Sequence, residues 1–148
     1  MTDATDLKIL KALLTNSRAS TTKISSELKI SNVATQSRIT KMEKAGIIKN
    51  YTATIDYNLL GYKTVAYIGI YLEKAKNYEA VISQLTAVPH ILEAHFTTGT
   101  YSIFAKILAK DNIHLMEILS SNIQNIDGIA RTETFISLHE GIHKPMEL

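Results

Sequence analysis

The chain has 148 residues, 45% of them apolar and 20% charged, a balance that supplies a core and argues against disorder. It contains no cysteine, which excludes a disulfide framework and a thiolate metal site. The formal net charge of +2 hides an asymmetry: ten Lys/Arg stand against five Asp/Glu up to residue 64, and six against nine beyond it. A basic head on an acidic body suggests that the head meets a polyanion.

The length allows one domain or two small ones. The opening MTDATDLKILKALL carries acids where a signal peptide needs positive charge, and no run reaches about 18 apolar residues. The expectation is a soluble cytoplasmic protein with no membrane attachment. Asp6, or Thr5 before it, can cap a first helix in which Leu7, Leu10, Leu13 and Leu14 form a stripe at helical spacing. Asn16-Ser17 ends it. Since two helices cannot enclose a core alone, this one is read as the third member of an N-terminal bundle.

Arg18 to Tyr51 reads as two short helices joined by a tight turn. Ser20 can cap the first of them, Ile24 and Leu28 share a face, and Lys29-Ile30-Ser31 breaks the run. Ser31 can cap the second, in which Val33, Ile39 and Met42 are expected inward, and Gly46 stands where a left-handed stop is wanted. The outward face is expected to hold Asn32, Thr35, Gln36, Arg38 and Lys41, groups that read base edges and hold phosphates. The pattern predicts a winged-helix-like helix-turn-helix over residues 1–50, with Ser31–Lys44 as recognition helix. Arg38 can fork to a guanine edge or clamp a phosphate. Arg18, Lys23, Lys41 and Lys49 are phosphate candidates, and Thr22, Ser31, Asn32 and Thr35 complete the expected contact set on double-stranded DNA. About six phosphate contacts would give a logarithmic salt slope near −5.

Residues 51–63 form the next segment. Tyr51–Ile55 alternates apolar and polar residues like a half-buried strand, and Asn58-Leu59-Leu60-Gly61 reads as a turn. From 64 to 148 the chain shows two units of one shape. Val65–Leu72 is a nearly continuous apolar strand, and Asn77 opens a helix with Tyr78, Val81, Ile82 and Leu85 on one face, stopped by Pro89. Ile91–Thr97 and Ser102–Ala109 are strands about a turn at Gly99. Asp111 caps a helix with Leu115, Met116, Leu119, Ile123 and Ile126 inward, and Ile129–Leu138 is the last strand. The order βαββαβ predicts a ferredoxin-like α+β domain with helices on one sheet face. The strand Val65–Leu72 is apolar on both faces, so the uncovered face calls for a second copy of the chain.

Asp6-Leu7-Lys8-Ile9-Leu10 followed by Asn16-Ser17-Arg18, Ile30-Ser31, Arg38-Ile39, Met42-Glu43, Gly46-Ile47-Ile48 with Tyr51, and Leu60-Gly61-Tyr62 occur in an order and spacing that resemble the Lrp/AsnC (feast/famine) family of prokaryotic transcription regulators. The resemblance spans essentially the whole chain. Thr97–Phe104, Ile126-Asp127-Gly128 and Thr132-Glu133-Thr134 look most like the asparagine-sensing AsnC branch. Leucine-responsive members commonly carry acids at the turn where this chain has Thr100 and Ser102.

The resemblance implies a C-terminal sensor domain that binds a free amino acid, asparagine foremost, at Thr98, Gly99, Thr100, Tyr101 and Ser102. Gln124, Asp127, Thr132, Glu133 and Thr134 would join them, some from a neighbouring subunit. Amides at Gly99–Tyr101 can hold the ligand carboxylate, and Asp127 or Glu133 its ammonium. It also implies that Tyr51–Ile55 pairs with its counterpart in a homodimer, that four dimers close into a ring, and that the protein works at the nucleoid.

No cofactor, metal or catalytic activity is expected. His139 and His143 are four apart but flank Gly141 without an evident third ligand, and there is no nucleophile with a base, paired carboxylates or phosphate-cradling glycine loop. The competing readings are an architectural DNA-binding protein with no effector, a regulator responding to leucine or methionine, and a ferredoxin-like enzyme with an incidental basic head.

Overall fold

The computed structural model describes residues 2–148, which divide into two compact units: residues 2–55 with Ile142–Leu148, and Asp56–Gly141. The second unit ends at Gly141.

The first unit is helical, with α1 (Ala4–Thr15), α2 (Thr21–Leu28) and α3 (Asn32–Lys44). Each helix begins on a side-chain cap that relieves its unpaired amides. Asp3 caps α1 in a reciprocal box with Asp6, earlier than the expected Thr5 or Asp6 cap. Ser20 Oγ accepts from Lys23 N, and Ser31 Oγ from Ala34 N. The turn between α2 and α3 passes through Lys29 in the left-handed region (φ 55°), and Gly46 (φ 70°) follows α3.

Ile9, Ile24, Ile39 and Met42 form the core of this unit. The expected leucine stripe is thus displaced: Ile9 is fully buried, Leu10 and Leu13 pack around it, and Leu7 and Leu14 are exposed. Among the described residues of this unit none lies in a strand. Tyr51–Ile55, expected as a strand, is exposed and has no ladder, because no other strand of the unit lies beside it.

The second unit places β1 (Thr64–Leu72), α4 (Tyr78–Thr86), β2 (Ile91–Phe96), β3 (Ile103–Ala109), α5 (Asn112–Ile118) and β4 (Ile129–Ile136) in the predicted order. The sheet order is β2-β3-β1-β4 with every neighbouring pair antiparallel. This is the ferredoxin-like split sandwich.

Ala66, Ile68 and Ile70 of β1 pack with Ile103, Ala105 and Ile107 of β3 against Val81 and Leu85 of α4 and Leu115 and Ile118 of α5. Each such isoleucine contributes roughly 1.5–3 kcal/mol by leaving water. Met116, expected inward, is exposed and Ile118 is buried instead. A π-helical turn, Leu119–Ile123, follows α5 and delivers Ile123 to the core. Asp111 caps α5 through His114 N, whereas Asn77 precedes α4 without a side-chain cap. No helix among the described residues is long and apolar enough to cross a membrane.

Candidate functional site

The head exposes one side of α3. With Thr35, Ile39 and Met42 buried, successive 100° steps place Asn32, Val33, Gln36, Ser37, Lys41 and Lys44 outside that seam, and all six are exposed. Gln36 Nε2 donates to Thr40 Oγ1 at 3.4 Å, which orients the amide along the helix. Glu43, the acid on this helix, accepts from the Tyr51 hydroxyl at 2.9 Å. Thr22 and Lys23 are exposed at the start of α2. Arg18 and Lys49 are exposed and line a groove of about 680 Å³ with the end of α1, residues 47–54 and the C-terminal His143–Pro145. Ser31 is exposed, but its hydroxyl oxygen is engaged as the α3 cap.

Three expectations for α3 need correction. Thr35 is fully buried, and its hydroxyl donates back to Ser31 O at 3.1 Å, because its position falls on the same seam as Ile39 and Met42. Val33, expected inward, is 81% exposed because it falls on the opposite side. Arg38 does not project freely: its Nη1 donates to Asp3 Oδ2 and Asp6 Oδ1, each at 2.7 Å, and its side chain is 34% exposed.

That contact fastens α3 to the start of α1. The Asp6 amide and then Arg38 hold the Asp3 carboxyl below its ordinary value; the Asp3 amide and then Arg38 do the same for Asp6. The guanidinium is correspondingly pushed up by Asp6 and Asp3. Sequence reasoning counted the cap acids and the arginine separately, although an acid pair opening one helix and an arginine flanking the buried seam of another was the available signal.

In the sheet unit the polar centre is Glu133 on β4. Its Oε1 accepts from the Tyr71 hydroxyl at 3.1 Å and from Arg131 at 3.0 Å, and its Oε2 from the Tyr101 hydroxyl at 2.9 Å. Tyr101, Tyr71 and Arg131 all draw the carboxyl down, Tyr101 most strongly. Both phenols are pushed up, Tyr101 first by Glu133 and Tyr71 first by desolvation. Arg131 also lies over the Tyr71 ring, 3.7 Å from its centroid.

Gly69 makes this geometry possible. It pairs with Glu133 across the sheet, and a Cβ there would come within 2.4 Å of the Tyr101 ring. The ring thus crosses β1 to reach β4. Tyr71, Arg131 and Gly69 were missed in the sequence, although a glycine inside an otherwise apolar strand signals close approach.

Of the other expected effector residues, Thr98, Gly99 and Thr100 form an exposed turn leading into Tyr101. Ser102 N donates to Ile70 O, Thr97 Oγ1 to Tyr101 O, and Leu72 N to Ser102 Oγ. The turn is therefore anchored to β1, while the amides of Gly99, Thr100 and Tyr101 have no such backbone partner among the described residues. Thr132 and Thr134 pair with Ile70 and Ile68, so they share the helix-covered side and alternate with Glu133. Gln124 and Asp127 are exposed near the turn before β4. Within this chain the structure brings together Tyr101 and Glu133 from the expected set. The sheet side that carries them is aromatic, with Tyr67 stacked on Phe104 at 5.8 Å and Phe135, 46% exposed, 6.1 Å from Tyr101. No group of three or more His, Asp or Glu residues among those described is placed to hold a metal ion.

Comparison with known proteins agrees with both units. Residues 65–146 match the Lrp/AsnC ligand binding domain, and residues 2–49 match a winged helix-turn-helix DNA-binding domain. The chain is 39% identical over 140 residues to the regulatory protein AsnC of Haemophilus influenzae, covering 95% of this chain and 93% of that one. It is 34% identical over 145 residues to regulatory protein AsnC of Escherichia coli K12, covering 98% and 95%. The solved structure of E. coli AsnC superposes with a TM-score of 0.95 over 100% of this chain and 99% of that one. The chain belongs to the Lrp/AsnC family, whose members are oligomerising DNA-binding transcription regulators with a ligand-binding domain.

Proposed function

We propose that this regulator senses a free amino acid, asparagine before leucine or methionine, and that the ligand changes its assembly or its grip on DNA. The observation that carries this reading is Glu133, a carboxylate held by three donors beside a turn whose amides at Gly99–Tyr101 lack backbone partners among the described residues. Such a pair of groups suits the ammonium and carboxylate of an amino acid. Thr98, Thr100 and Ser102 frame the turn, with Gln124, Asp127, Thr132 and Thr134 contributed across a subunit boundary. The identity to regulators named AsnC supports asparagine as the ligand.

In this reading the aromatic sheet face around Tyr67, Phe104 and Phe135 is covered by a second copy. Tyr51–Ile55 finds its missing partner in the same dimer, and four dimers close into a ring acting at the nucleoid. Two heads would enter successive major grooves about 34 Å apart. Asn32 and Gln36 face bases, Arg18, Thr22, Lys23, Ser31, Lys41 and Lys49 face the backbone, and Arg38 and Thr35 position α3 from behind.

A thermal-shift screen of the free amino acids on the full chain tests the sensor. The expected result is stabilisation by asparagine in preference to leucine and methionine, lost in both Glu133→Gln and Gly69→Ala. A flat response to every amino acid would leave the architectural reading in its place. Coupling to DNA should then amount to about 1–3 kcal/mol, a change of fivefold or more in operator affinity.

A further inference from the structure

A single exposed apolar residue normally needs no explanation. Val33 is different because of where it stands. It occupies the first turn of α3, opposite the seam formed by Thr35, Ile39 and Met42, and is 81% exposed. Valine is a weaker helix former than alanine, so at a solvated helical position it gains nothing from its extra methyls. Its neighbours one turn along are Gln36 and Ser37, which are uncharged, and Gln36 is steadied by Thr40. Lys41 and Lys44 flank the same side, and the acid Glu43 is engaged by Tyr51. The result is an apolar spot beside a hydrogen-bonding amide and a hydroxyl, edged by cations.

We propose that Val33 is a base-reading residue that takes the 5-methyl group of a thymine in each operator half-site, beside an adenine held by the Gln36 amide. The inference rests on the reading that the exposed side of α3 enters the major groove. There each base pair shows a distinct edge: adenine offers N7 and N6, which a glutamine amide meets with two hydrogen bonds, and thymine offers a methyl group that only an apolar atom contacts well. A valine next to a glutamine on one helical turn matches those two edges. The lysines hold the phosphates on either side and carry no sequence information.

The test uses duplexes enriched from random-sequence DNA by the full chain. In the best duplex each thymine is replaced in turn by deoxyuridine, which removes the methyl group and nothing else. The wild-type protein should lose about fourfold in affinity at one thymine of each half-site, the value of one buried methyl-sized group. Val33→Ala should melt no lower than wild type, bind the thymine and uracil duplexes equally at that position, and keep its discrimination elsewhere. Val33→Thr, which retains a γ-methyl, should restore part of the preference. Equal thymine-over-uracil ratios in wild type and Val33→Ala, or indifference of the wild type to every replacement, would overturn the assignment of Val33 alone. Failure to enrich any duplex would overturn the reading of the α3 face as well.

Discussion

Among the described residues, four buried apolar side chains close the head, whereas fourteen close the ligand-binding domain. The smaller core is supplemented by polar fastenings: three side-chain caps, the Asp3–Asp6 box, the Arg38 clamp and the back-bonded Thr35. In the sensor domain apolar packing holds the sheet to its helices. Its main polar cluster, around Glu133, lies on the opposite sheet side and includes an arginine that is largely exposed. The contrast is that polar residues in the head are partly consumed by folding, while the Glu133 cluster stands apart from the apolar core of its unit.

The sharpest way to break this contrast is to remove a core residue from the head. Ile9→Ala should cost about 2–5 kcal/mol, a large share of what so small a core can supply. Hydrogen exchange should show the amides of α1–α3 losing protection while those of β1 and β3 keep theirs. Unchanged protection in α1–α3 would mean that the head does not depend on its four-residue core.

A smaller effect is expected from Arg38→Gln. It should lower the melting of the head at neutral pH and flatten its acid dependence. The folded carboxyls of Asp3 and Asp6 lie below their ordinary value, so their stabilisation is complete above about pH 4 and is lost as pH falls through the folded values. In the variant the capping amides still depress both carboxyls, so a residual acid limb remains. Thermal melts followed from about pH 5 to pH 2 check both slopes. An identical acid limb in the two proteins would detach Arg38 from that stabilisation.

The order of elements in the sensor domain could be read because alternation and helical spacing act directly through its apolar core. The recognition helix could be placed, since Ser31 and Gly46 bound it and serve those roles. Its inner and outer faces were misassigned at Thr35 and Val33, where residue type pointed one way and helix phase the other. Arg38 misled for a related reason: its chemistry suits DNA, but two carboxylates distant in sequence reach it first. The Glu133 cluster was half visible. Tyr101 and Glu133 belong to turn and strand motifs, whereas Tyr71 and Arg131 join them only through sheet pairing across Gly69.

Two milder substitutions sharpen the comparison. Glu133→Gln should leave the melting of the ligand-free protein close to that of wild type while abolishing the shift that the proposed function expects with asparagine, because the domain does not need the cluster to fold. Loss of the fold in the absence of ligand would contradict this division. Thr35→Val should cost the head about 1 kcal/mol, the hydroxyl's bond to Ser31 O, with no change in DNA affinity once folded. A loss of DNA affinity in fully folded Thr35→Val would put that hydroxyl back on the DNA side.

The most direct measurement compares Gln36→Ala with Arg38→Ala, at a temperature where both are fully folded, by the ratio of operator affinity to random-sequence affinity. Gln36→Ala should melt like wild type and lose about tenfold of that ratio, whereas Arg38→Ala should melt lower and keep it. Retention of the ratio by Gln36→Ala together with its collapse in folded Arg38→Ala would contradict the assignment of α3.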